Sequence, residues 1–73
     1  MIVIDTERAM LHAAKLVRHR LRVEAARLRA EEGKMILEAT RDKVALPEHA
    51  WMPRHVAEEK ARCANRMVEA LRP

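Results

Sequence analysis

From Glu7 to Thr40 the chain contains no proline and a single glycine, Gly33. Ala, Leu, Arg, Glu and Met dominate the run, and all are good helix formers. Apolar residues recur at Met10, Ala14, Val17, Leu21, Ala25 and Leu28, a period near 3.6 residues. The pattern predicts one long amphipathic helix over 7–40, with Met35, Ile36 and Ala39 prolonging its apolar face. Gly33 is the soft point. It would either end the helix in a left-handed cap or sit inside it at a cost of about 1 kcal/mol. The lack of turn residues around it favours continuity. A helix this long outruns a small globular core, so its surplus face is expected to meet another chain.

A second helix is expected over 54–71. Pro53 suits its first turn, where the missing amide costs nothing. Val56, Cys63, Met67 and Leu71 mark its apolar side, helped by Ala64 and Ala70. Glu58 and Glu59 fall early and Arg66 and Arg72 late, in agreement with the helix dipole. Between the helices, residues 41–53 form a connector in which Pro47 and Pro53 favour extended geometry before them. Trp51, the only aromatic residue, is its natural anchor, as a core residue or an interface hot spot. Ahead of the first helix, residues 1–6 read as an extended tail with a short β-prone run, Ile2–Ile4, and with Asp5 or Thr6 as the cap. The fold class is therefore all-α: a single small domain over 1–73, built as a helical hairpin.

Seventy-three residues bury only a modest core. Cys63 is the lone cysteine, so no intrachain disulfide can compensate. Support from a second subunit is expected, with a homodimer as the simplest form. Leu21, Leu28 and Met35 are the expected self-association residues, on the expectation that they carry the stripe past the reach of the shorter helix. No stretch approaches the roughly twenty apolar residues that span a membrane, and no signal-peptide pattern opens the chain. A cytoplasmic protein without membrane contact is expected.

Charge is distributed unevenly. Residues 1–30 carry seven Lys or Arg against three acids, whereas residues 31–73 carry eight of each. Arg8, His12, Lys15, His19, Arg22 and Arg29 drift along one helix face, interrupted only by Ala26. Such a face suits an acidic protein surface or a phosphate backbone. No Asn or Gln stands on that helix to read a base edge, and one aromatic makes no stacking platform for single strands. The expected function is thus a non-enzymatic protein-binding module or regulator. Its basic face would dock onto an acidic surface of a larger protein. The alternative is a nucleic-acid-binding protein that contacts phosphates through the same face.

Catalysis and metal binding have little support in the sequence. With one glycine there is no Gly-rich phosphate loop. His49, His55 and Cys63 are spaced at six and eight residues, without the paired ligands of a structural zinc site. Adjacent Glu58 and Glu59 splay apart on a helix. Neither a metal nor another cofactor is expected.

Overall fold

A computed structural model describes residues 6–72 of the chain. The β-prone run Ile2–Ile4, the Asp5 cap and Pro73 lie outside the described residues. Two helices make up the rest: α1 over Thr6–Asp42 and α2 over Met52–Leu71. They lie antiparallel as a hairpin, and among the described residues there is no strand. Both helices run slightly beyond their expected limits, and Thr6 is already helical rather than part of the tail. Gly33 lies inside α1 with no positive φ, so continuity prevails over a glycine cap.

The left-handed turn comes ten residues later, at Lys43 with φ 55°. Its amide donates to the Thr40 carbonyl, and the Val44 amide reaches back to the Ala39 carbonyl at 3.0 Å. This pair of bonds is a Schellman closure, which satisfies carbonyls that the helix end would otherwise orphan. Val44 and Ala39 also line one surface depression, supplying the apolar contact that accompanies such a cap. Further on, the Ala50 amide donates to the Pro47 carbonyl and the Met52 amide to the His49 carbonyl. The connector therefore turns directly into α2, with Trp51 as its capping residue and Pro53 in the first turn.

The seam between the helices is built on alanine. In α1 the covered positions are Leu11, Ala14, Arg18, Leu21, Ala25, Leu28 and Glu32, alternating by three and four. In α2 they are Arg54, Ala57, Ala61, Ala64, Val68 and Leu71, with the same alternation. This is the spacing of a coiled-coil seam. Small side chains let helix axes approach at the short end of the usual range. Val68 is the largest fully buried side chain, at 0% exposure. Two bonds fix the register. Arg22 donates to Asn65 Oδ1 at 2.9 Å, and Arg29 Nε donates to Glu58 Oε1 at 3.1 Å. Seven residues forward on α1 correspond to seven residues back on α2.

This seam corrects the expected apolar faces. Met10 and Val17 are about half exposed, at 51% and 49%, while Leu11 and Arg18 take the inward positions. On α2, Val56, Cys63 and Met67 are exposed; Ala64 is buried as expected, and Ala57 and Val68 join it in the interior. Bulk misleads here, because two polar seam residues, Arg18 and Glu32, interrupt the hydrophobic signal on α1. Arg18 donates to Asn65 Oδ1 at 3.4 Å, and Glu32 accepts a hydrogen bond from Arg54. Each polar seam side chain thus finds a partner across the hairpin.

Candidate functional site

α1 presents three lengthwise rows on the side opposite the seam. The middle row is Ala9, Leu16, Val23, Ala30 and Leu37, spaced by seven and exposed throughout. On one flank run Arg20, Arg27, Lys34 and Arg41, again spaced by seven and exposed. On the other lie His12 and His19, and beyond them Arg8, Lys15, Arg22 and Arg29. A seven-residue step returns to nearly the same helix face, so the rows drift little over the length of α1.

All six residues expected on the basic face are exposed, but the structure divides them. Arg22 and Arg29 turn across the seam to α2 through Asn65 and Glu58. Glu58 also accepts from Arg54 Nη1 at 3.1 Å. The Arg29 hydrogen bond, aided by the nearby Arg54 charge, holds the Glu58 carboxyl below its ordinary pKa against the opposing effect of burial. Hydrogen bonding to Glu32 in turn keeps Arg54 more firmly protonated. These cations therefore bind the hairpin together as well as facing solvent. Lys15, by contrast, joins no ion pair among the described residues.

The flank of Arg20, Arg27, Lys34 and Arg41 escaped the sequence reading, which followed a single basic stripe. Their strict spacing of seven was the available signal. Arg27 pairs with Glu31 at 2.8 Å and Arg41 with Asp42 at 3.1 Å. Arg20 and Lys34 have no ion pair among the described residues. One open depression on this side is lined by His19, Arg20, Val23, Glu24 and Arg27, so cationic and apolar groups adjoin directly.

The remaining expected sites fall elsewhere. Trp51 is 44% exposed, so it is no core anchor; its ring meets His55 edge-on at 5.4 Å between centroids. Leu21 and Leu28 lie within the reach of α2, half-buried along an interhelix groove shared with Met52, Val56 and Ala57. Met35 is exposed close to the connector, beside Val44 and Leu46. Cys63 is exposed on α2, with Arg66 Nη2 at 3.3 Å from its sulfur. Among the described residues, no three His, Cys, Asp or Glu side chains converge as metal ligands, and no helix is long and apolar enough to cross a membrane.

Comparison with known proteins brings no match: no family model, no curated protein and no solved structure is similar to this chain.

Proposed function

We propose that the chain is a non-enzymatic protein-binding module whose α1 outer face docks onto an acidic surface of a larger protein. The observation that carries this reading is the interleaving of charge with apolar surface. Leu16, Val23 and Leu37 are 51%, 55% and 72% exposed, in the row between two sets of cations. A phosphate backbone has no use for that middle row, since its contacts are ionic and polar. A protein surface uses both: the apolar row supplies burial, and the cations steer the encounter and fix the partner. Lys15, Arg20 and Lys34 reach such a partner without first giving up an ion pair within the hairpin.

An affinity capture at roughly 0.15 M salt, run with and without nuclease, tests the reading. The expected result is an acidic protein retained in both arms by the wild type. It should be lost when Lys15, Arg20 and Lys34 are replaced together by Glu. Retained material that disappears with nuclease would overturn the reading in favour of nucleic acid.

A further inference from the structure

The groove between the helices offers a second surface, chemically unlike the outer face of α1. It encloses about 370 Å³ and is lined by Leu21, Leu28, Met52 and Val56, with Glu24 and Lys60 at its edges. One heptad back from Glu24 on α1 and one heptad on from Lys60 on α2 stand Val17 and Met67, both exposed. The face is thus largely apolar and carries Glu24, Lys60 and His49, where the outer face of α1 carries rows of cations.

We propose that this groove face binds a second copy of the chain, giving a four-helix bundle about a two-fold axis parallel to the helices.

Three observations select that occupant. The first is area. A compact monomer of 8.4 kDa exposes about 4,600 Å² by the usual scaling, whereas this chain exposes 6196 Å². A standard interface covers about 800 Å² on each partner, so the surplus is sufficient for one. The second is charge. Lys60 joins no ion pair among the described residues, and Glu24 meets only Arg27, at 3.7 Å. The face therefore holds both halves of a reciprocal pair, as an isologous contact requires. The third is exclusion. On the outer face of α1, two copies would bring Arg20, Lys34 and Lys15 against their own kind, which is repulsive.

Charge also chooses the axis. A two-fold perpendicular to the helices within the interface lays α1 on α1, and at this level sets Glu24 against Glu24. A two-fold parallel to the helices preserves the level and lays α1 of one copy on α2 of the other. Glu24 then faces the turn of the second copy's α2 that carries Lys60, and Val17 the turn that carries its Met67, each within about one helical turn of the register. Every neighbouring pair of helices in the bundle is antiparallel.

Sedimentation equilibrium of the full chain tests this. The wild type is expected to be a dimer at about 10 µM, and Val56→Asp, exposed in the single hairpin, should raise the dissociation constant at least about tenfold with helical circular dichroism retained. Leu16→Asp, on the outer face, should leave the dimer intact. Glu24→Lys and Lys60→Glu should each weaken the dimer, and the double variant should restore it. The cycle remains decisive even if Val56→Asp fails to fold. A wild-type monomer at about 100 µM, dissociation by Leu16→Asp in place of Val56→Asp, or a double variant no tighter than the singles would overturn the proposal.

Discussion

Val68→Ala is the sharpest perturbation of the hairpin, because Val68 is the largest fully buried side chain among the described residues. Truncation removes two methyl-sized groups, about 1.6 kcal/mol at 0.8 per group. The cavity left behind adds up to about 1 kcal/mol, depending on how far the helices relax. Alanine returns about 0.5 kcal/mol through its better helix propensity. The net loss is about 1–2 kcal/mol. At 0.05–0.15 kcal/mol per residue, a chain of this size has about 4–11 kcal/mol in total, so a single truncation takes a large share. The melting temperature should fall by about 4–16 °C. Val23→Ala is the matched control: Val23 has the same side chain but is 55% exposed on the outer face of α1, and the change should be neutral or slightly stabilising. Denaturant unfolding followed by circular dichroism, at one fixed protein concentration, reads both variants. Equal costs for the two truncations, or a Val68→Ala loss below about 0.5 kcal/mol, the usual range for a surface change, would refute the alanine seam.

Other consequences follow from single positions. Gly33→Ala should stabilise the protein by about 0.5–1 kcal/mol, since an added Cβ meets nothing within 4 Å; thermal melting checks it. Lys43→Gly should raise the melting temperature as well, because Lys43 holds φ 55°, a conformation that costs a side chain about 1 kcal/mol. Acid should weaken the hairpin through Glu58. Its folded pKa lies below the ordinary 4.5, so its contribution is complete above that value and is lost as pH falls through the depressed one. Stability measured against pH should therefore show a shallower acid limb in Glu58→Gln than in the wild type.

Helix type and approximate limits were legible in the sequence because propensity and the absence of breakers are local properties. Pro53 marked the start of α2, and the even chemistry around Gly33 supported a continuous α1. Which face turns inward was much less legible. Val17 is far more hydrophobic than Arg18 and Met10 comparable to Leu11, yet the seam takes Leu11 and Arg18, because a coiled-coil interface follows the alternating three- and four-residue spacing and rewards close approach. On α2 the same preference keeps the expected Ala64 inside but puts Ala57 and Val68 there in place of Val56 and Met67. For Trp51 the sequence left core residue and interface hot spot both open; the local turn at Pro47–Ala50 leaves its ring at the surface beside His55, against the core alternative. The six residues of the expected basic face are all exposed. Its division was not visible, because Glu58 and Asn65 lie on the other helix, and only the register brings them to Arg29 and Arg22.

Every functional statement about α1 depends on which of its sides faces α2, and methyl nuclear Overhauser effects measure that directly. The account predicts cross-peaks from the Ala25 and Leu28 methyls to those of Ala57 and Ala61, with none from Val23 or Leu16 to any α2 methyl of the same chain. Cross-peaks linking Val23 or Leu16 to Ala57, Ala64 or Val68 would contradict it, because the rows assigned to a partner would then be the hairpin's own interior.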